Sequence, residues 1–295
     1  MSATMAAILN AEKLLAYAIP PARDDYDPRD AILYALGVGA GLSAEIDETT
    51  LLYERHLQVL PTMALVLGTP GFWPMAPQTG LDWLNILHGE QRLKLYAPLD
   101  PSGTVIGETV VTDLADKGLG NAALIRAVKQ LKTPGGTLLA EASEVWVVRG
   151  AGGFGGQRDL PSDALPAVPP RDPDFEIALP TSPVQAAVYR LSGDRNPLHI
   201  DPDTARSAGF DRPILHGLST MGLVARALIH ACCGGDTQRL CEIGLRFVAP
   251  AYPGDTIRTL IWQEGSKLHF RADAVERGVR VIDNGLAGIA DQSSF

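Results

Sequence analysis

"PILHGLSTMGLVARALIHACCGG", residues 213–235, decides the fold class. Leu218, Met221, Leu223, Val224, Ala227 and Leu228 leave little of a helical circumference polar, so the pattern predicts a helix buried on nearly all sides. The double glycine at 234–235 stops it. The segments that follow, "DTIRTLIWQEG", "KLHFRADAVE" and "VRVIDNGLAGIA", alternate in the manner of antiparallel strands. A buried helix followed by a sheet that wraps around it is the hotdog arrangement.

The same organisation is visible a second time. "LKLYAPLDPSGTV", from Leu93, matches "LRFVAPAYPGDTI", from Leu245, in its apolar–basic start, its Ala-Pro step and its turn into a Thr-containing strand. Strand-like segments "TVIGETVVTDL" and "GTLLAEASEVWVV" follow the first copy. The expectation is an α+β double hotdog: two tandem antiparallel sheets, each wrapped around a central helix. An N-terminal hotdog would occupy 1–150, a Gly/Pro-rich linker 151–175 and a C-terminal hotdog 176–295. The first half offers only "LPTMALVLGTPGFWPM", residues 60–75, as its helix. Prolines break that stretch, and a shortened helix leaves open space over the first sheet.

Gly150, Gly152 and Gly155 fit the spacing G-x-G-x-x-G behind a strand. A dinucleotide site needs a helix opening at those glycines. Here Pro161, Pro166, Pro169, Pro170 and Pro173 follow, so the stretch reads as a turn into an extended linker.

The 295 residues are 46% hydrophobic and 20% charged, an ordinary globular composition. A net charge of -9 argues against a general nucleic-acid or anionic-membrane binder. Cys232, Cys233 and Cys241 form no disulfide framework and no metal-type spacing, which fits a reducing compartment. The N-terminus carries Glu12 and Lys13 in its apolar part and does not read as a signal peptide. No uncharged apolar run reaches the roughly 18 residues of a membrane span. A cytoplasmic location is expected.

The chemistry points to "YRLSGDRNPLHIDPD", residues 189–203. Pro197 disfavours the helical region for Asn196, so a tight loop should carry Asp194, Asn196 and His199. Such a loop can aim all three at one point, where an acid and an imidazole can orient a water molecule and exchange its proton. Asp201 reads as the N-cap of a short helix with Pro202 at its first position and Gly209 at its exit. That reading explains Asp201 and Asp203 without a metal. A metal site built from His199, Asp201, Asp203 and His216 is therefore not expected.

"YRLSGDRNPLHIDP" together with "FDRPILHGL" resembles the hydratase 2 motif of the MaoC-like dehydratase family, whose members have hotdog folds. "LYALGVGA", "LLYERHLQVLPT", "HGEQRLKLYAPL", "DKGLG" and "GAGGFGGQR" resemble further segments of the two-hotdog (3R)-specific enoyl-CoA hydratases, so the likeness runs through nearly the whole chain. The resemblance implies that Asp194 and His199 are the catalytic pair, that Asn196 helps place the water and that the Gly217 N–H is the oxyanion donor. It implies substrate contacts from His88, Gly89, Lys117, Arg195, Pro197, Leu198 and Phe247. Tyr34 and Glu54 fall where the family has residues that matter to activity. Arg195 departs from the pattern, since relatives often carry a large aromatic there, and its side chain is expected to point away from the water.

These roles agree with the physics of the implied reaction. Adding water beside a thioester puts negative charge on the thioester oxygen, where an aimed donor contributes roughly 3–4 kcal/mol. Gly217 opens the buried helix, so its N–H is free of intrahelical bonds and lies at the positive end of the dipole. The substrate is then an acyl-CoA thioester, and no metal or redox cofactor is needed. One active site per chain is expected, with the first half supplying acyl-chain space and part of the CoA surface. Lys117 is the first candidate for the CoA phosphates, with Lys94, Arg126, Arg149 and Arg246 behind it. A homodimer is expected, with no nucleic-acid or membrane partner. Alternatives are a MaoC-like hydratase or dehydratase for a branched, steroid side-chain or carrier-protein-bound thioester, a non-catalytic acyl-CoA-binding subunit, and a hotdog thioesterase.

Overall fold

The structure is a computed structural model that describes residues 8–161 and 164–290. A short helix α1 (Ala11–Leu15) precedes strand β1 (Ala22–Tyr26), helix α2 (Pro28–Gly37) and one turn of helix, α3 (Thr49–Leu52). A meander follows: β2 (Ile86–Leu95), β3 (Gly103–Asp116), β4 (Ala123–Lys132) and β5 (Leu138–Val148). The second half repeats the scheme. It runs β6 (Phe175–Pro180), helices α4 (Gln185–Tyr189), α5 (Pro202–Ser207) and α6 (Gly217–Cys233), then β7 (Leu240–Phe247), β8 (Thr256–Glu264), β9 (Lys267–Ala274) and β10 (Val279–Ile289).

Local chemistry sets the helix ends. Asp27 caps α2 by accepting from the N–H groups of Arg29 and Asp30, Asp30 returns the bond to Asp27, and Pro28 occupies the first turn. Gly234 ends α6 in the left-handed conformation, and the Gly235 N–H donates to the Ile229 carbonyl. Every residue of α6 from Ser219 to Ile229 is buried, as the apolar pattern predicts.

The strands form one antiparallel sheet in the order β1-β3-β4-β5-β2-β7-β10-β9-β8-β6. The two hotdog sheets are thus fused edge to edge. Their order is the same in each half, and β2 meets its own counterpart β7 at the seam. Gln91 faces Leu245 there and Leu93 faces Ile243, so the repeated segments of the sequence lie against each other. Backbone groups that two separate sheets would leave open at these edges are paired. Leu165 of the linker packs over the seam: a Cβ on Gly244 would stand 3.1 Å from its Cδ2.

The halves differ in what fills them. The buried α6 lies against the second sheet. In the first half the expected proline-broken helix over 60–75 is not an α-helix at all, but 3₁₀ turns at Pro61–Leu65 and Trp73–Met75. Pro61, Pro70 and Pro74 remove donors, and Gly68 (φ +60) reverses the chain against β3. The approach is close: a Cβ on Gly107 would collide with the Gly68 carbonyl oxygen. A buried ammonium completes the turn. Lys129 Nζ on β4 donates to the carbonyls of Ala64 (3.0 Å), Leu65 (2.9 Å) and Leu67 (2.6 Å) and to Thr69 Oγ1 (3.0 Å). Behind it, Phe72 and Trp73 pack on Trp146 and close the far end of the half.

One buried ion pair clamps the second-half helix to the first half. Arg226 of α6 donates through Nε and Nη2 to the Glu48 carboxylate (2.6 and 2.7 Å) and through Nη1 to the Val38 carbonyl (2.8 Å). The Gly41 N–H donates to the same carboxylate. Removing one partner strands a charge away from water. Arg226→Met should therefore cost about 3–5 kcal/mol in urea unfolding. A loss under about 1 kcal/mol, the value of an exposed pair, would show that the clamp is not holding the halves.

Candidate active site

The loop after α4 is built from side chains that each fix the next step of backbone. Gly193 turns the chain at φ +128. Asp194 Oδ1 then accepts the Asn196 N–H (3.1 Å), and Asn196 Oδ1 accepts the Leu198 N–H (3.0 Å), capping a 3₁₀ turn over Pro197–His199. Asp194 Oδ2 and the Asn196 NH₂ make no hydrogen bond among the described residues, and both residues line the cavity described below.

His199 is buried and its Nδ1 lies 2.9 Å from the Ile214 carbonyl. A carbonyl only accepts, so Nδ1 carries the proton and Nε2 presents a lone pair. Burial lowers the pKa of His199, with Asp194 and the Ile214 carbonyl opposing, so the ring is neutral at neutral pH with Nε2 unprotonated. His216 stacks on it at 3.8 Å between ring centroids. Burial and the neighbouring His199 hold His216 well below its usual range. Its Nε2 donates to the Asp194 carbonyl (3.2 Å), which ties the loop to the start of α6. Tyr189 packs behind His216, and Tyr34 behind Tyr189.

Gly217 begins α6, and no side chain caps that end. Its N–H is free of the helix and points the positive end of the dipole outward. A side chain there would collide: a Cβ would stand 3.1 Å from Phe247 Cε1 and Cζ. Phe247, at the end of β7, meets the edge of His88 at 4.9 Å. Burial pushes the His88 pKa down to about 4, and its Nε2 has no partner among the described residues. The sheet bulges between His88 and Glu90, so Gly89 leaves the ladder.

All of these groups converge. Asp194, Asn196, Leu198, His199, Gly217, Phe247, His88 and Gly89 line one cavity of about 650 Å³. It runs from the loop toward Met63, Leu65, Phe72, Trp73 and Trp146, through the space that the missing first-half helix leaves. Other expected residues lie elsewhere. Arg195, expected as a substrate contact, is exposed and does not line the cavity, and Pro197 shapes the loop without lining it. Lys117 is at the surface, bound to Asp159 (2.6 Å). Arg126 is engaged by Asp113 and the Pro161 carbonyl, Lys94 lies over the Tyr96 ring, and Arg246 faces Glu90 across the seam. Arg149 bonds the Ala208 carbonyl beside Phe210, which lines the cavity. Tyr34 belongs to the packing behind the histidines. Glu54 is exposed, and the buried acid of that segment is Glu48. Asp201 caps α5, and Asp203 pairs with Arg206. Asp194, His199 and His216 bring ligand-type atoms within 4.8 Å of one another, each imidazole already giving one nitrogen to a carbonyl.

Comparison with known proteins follows the two halves. Residues 25–150 match the MFE-2 hydratase 2 N-terminal domain, and residues 165–285 match the MaoC like domain. A 3-hydroxyacyl-thioester dehydratase Y of Mycobacterium tuberculosis is 42% identical over 269 residues, 88% of this chain and 92% of that protein. The chain belongs to the hydratase 2 branch of the MaoC-like dehydratase family. It is also 39% identical over 282 residues to the mouse peroxisomal multifunctional enzyme type 2, covering 93% of this chain but only 38% of that longer protein. Among solved structures, a MaoC-like dehydratase from Phytophthora capsici is 38% identical and superposes with a TM-score of 0.83 over 97% of this chain and all of its own. A Mycobacterium tuberculosis protein described as a double hotdog, 15% identical with a TM-score of 0.54, shares the fold alone over 92% of this chain and 94% of its own.

The sequence reading missed two groups on the cavity wall, Lys129 and Glu144. Strand parity could have found them. Glu144 lies between Ala142 and Trp146 at positions that face the same side of β5. Burial raises the Glu144 pKa to about 7, Asp194 adds to the rise, and Lys129 and the Trp146 indole oppose it. The folded state therefore holds this proton where the unfolded chain has released it, between pH 4.5 and about 7. Its stabilising effect is complete below pH 4.5 and is lost as pH rises through 7. The urea midpoint of wild type, measured relative to Glu144→Gln, should fall from pH 5 to pH 7.5. A constant difference would mean that the carboxyl titrates normally.

Proposed function

We propose that this protein is a (3R)-specific enoyl-CoA hydratase, adding water across the 2,3-double bond of trans-2-enoyl-CoA and reversibly dehydrating (3R)-3-hydroxyacyl-CoA. The observation that carries the reading is the convergence of Asp194, Asn196, His199 and the open Gly217 N–H on one cavity. Water sits between the His199 Nε2 lone pair, the free Asp194 oxygen and the Asn196 NH₂. As the water oxygen bonds to C3, His199 takes its proton and the π electrons move toward the thioester. Negative charge on the thioester oxygen is met by the Gly217 N–H. The imidazolium, stabilised by the adjacent Asp194 carboxylate, returns the proton to C2. Atoms and charge balance within one turnover, so the proposal requires no metal or redox cofactor.

The acyl chain extends into the first half, between the 3₁₀ turn and the sheet, where the wall is largely apolar. CoA lies outside the mouth, and the Arg149 guanidinium, held by the Ala208 carbonyl two residues before the cavity-lining Phe210, is a candidate for its phosphates. No helix among the described residues is long and apolar enough to cross a membrane. Cytoplasmic residence and a homodimeric state are part of the proposal, and three free cysteines suit a reducing compartment.

Two measurements test the reading. Asp194→Asn and His199→Gln should each lower kcat on crotonyl-CoA by about 10²–10⁴-fold without unfolding the protein. The double variant should be little worse than either single one, because both groups act on one water. Near-wild-type turnover in a folded single variant would make the loop structural. The product from crotonyl-CoA should be consumed by a (3R)-specific and not a (3S)-specific 3-hydroxyacyl-CoA dehydrogenase. The opposite result would overturn the stereochemical assignment.

A further inference from the structure

The far part of the cavity is not uniformly apolar. Thr109, Lys129, Glu144 and Gln91, from the adjacent strands β3, β4, β5 and β2, all reach its wall. Two of the four are already committed. The Lys129 ammonium is taken up by three carbonyls and Thr69. The Gln91 amide nitrogen donates to the carbonyls of Arg92 and Ser143. Glu144 is different. Its carboxyl opens on the cavity with the Trp146 indole as a neighbour, and no hydrogen bond among the described residues commits it. A carboxyl group has more acceptor positions than one donor can fill.

That arrangement bears on what lies over it. An unsubstituted hydrocarbon chain would remove water from Glu144 and return nothing, leaving a polar group unpaired at a substantial cost. A hydroxyl at the same place would satisfy it. Sites built to hydrogen-bond a substrate hydroxyl reject analogues lacking it far more strongly than apolar pockets sort chains by length.

The sheet register gives the distance. Glu144 faces Gln91 on β2, and Gln91 faces Leu245 on β7, two residues from the Phe247 that touches the Gly217 position. Two strand spacings, about 10 Å, separate Glu144 from the strand that flanks the reacting thioester. A crotonyl group ends short of it, and a medium or long acyl chain passes over it.

Resting on the hydratase reading above, we propose that Glu144 is a specificity-determining residue that hydrogen-bonds a hydroxyl carried on the acyl chain well beyond the double bond. The preferred substrates are then hydroxylated enoyl thioesters, and the reaction that supplies them follows a hydroxylation of the acyl group.

The test compares kcat/KM for trans-2-decenoyl-CoA with congeners hydroxylated in turn at each carbon from the sixth to the tenth, with crotonyl-CoA as the reference substrate. In the wild type at least one congener should exceed the parent on the order of tenfold or more, the value of a buried hydrogen bond to a carboxyl group. Glu144→Leu should erase that preference, measured as a ratio between the two ten-carbon substrates. Glu144→Gln, which keeps an acceptor, should retain part of it. A wild type that treats parent and every congener alike overturns the proposal whether or not the variants fold. So does a preference that survives in Glu144→Leu. Failure of the underlying hydratase reading is separate and visible: wild type would then not hydrate crotonyl-CoA.

Discussion

The Lys129 ammonium decides the shape of the first half. It draws the carbonyls of Ala64, Leu65 and Leu67 to one point, which a continuing α-helix would not allow, since those carbonyls would bond to later N–H groups of the helix. On the other side of the turn, the Gly68 N–H donates to Asp24 (2.7 Å). The segment is thereby satisfied as a 3₁₀ turn with no helix beyond it. Burial lowers the Lys129 pKa to about 8, while Glu144 and Asp24 pull it up, so the side chain is still charged at neutral pH. An uncharged amine would be a weaker organiser of three carbonyls. The cavity follows from this: the volume that α6 fills in the second half is open in the first.

The two copies of the architecture differ in their helices. In the second half the Gly217 N–H has the dipole of α6 behind it. In the first half the matching helix is absent and the cavity occupies its place. Fusing the sheets through β2 and β7 sets these two features side by side, since His88 and Gly89 on β2 face the same cavity as Phe247 on β7. The Arg226–Glu48 clamp fixes α6 against the first-half segment that leads into the broken helix. The site therefore depends on the register between the halves as much as on either half.

Much of this was legible in the residues. The apolar circumference of 213–235 and the double glycine marked α6, and Pro197 among Asp194, Asn196 and His199 marked a loop with convergent side chains. The prolines of 60–75 marked a short, broken helix with open space beside it, where the structure has only 3₁₀ turns. Other features depend on partners far away in the chain. Nothing local in "LKLYAP" and "LRFVAP" says that the two copies pair with each other. Arg226 reads as an isolated charge on an apolar helix until Glu48 is seen 178 residues away. Glu54 stood out by family likeness, but the burial of Glu48 is set by tertiary packing. Glu144 was hidden because a single acid in an alternating strand is usually a solvated one, although its parity with Ala142 and Trp146 places it on the inward face.

The stacked imidazoles add a constraint on the chemistry. At 3.8 Å between ring centroids, protonating both His199 and His216 would place two like charges in contact within a buried site. His216 gives its one proton to the Asp194 carbonyl and remains neutral, pushed down by burial and by His199 itself. His199 gives its resident proton to Ile214 and keeps Nε2 open. The pair therefore holds at most one extra proton at a time, on the ring beside Asp194. That is the capacity a hydration needs, one proton taken from water and returned to carbon. The same hydrogen bond from His216 fixes the Asp194 backbone against the residue preceding Gly217. Asp194 and the start of α6 at Gly217 are thus tied together by one hydrogen bond.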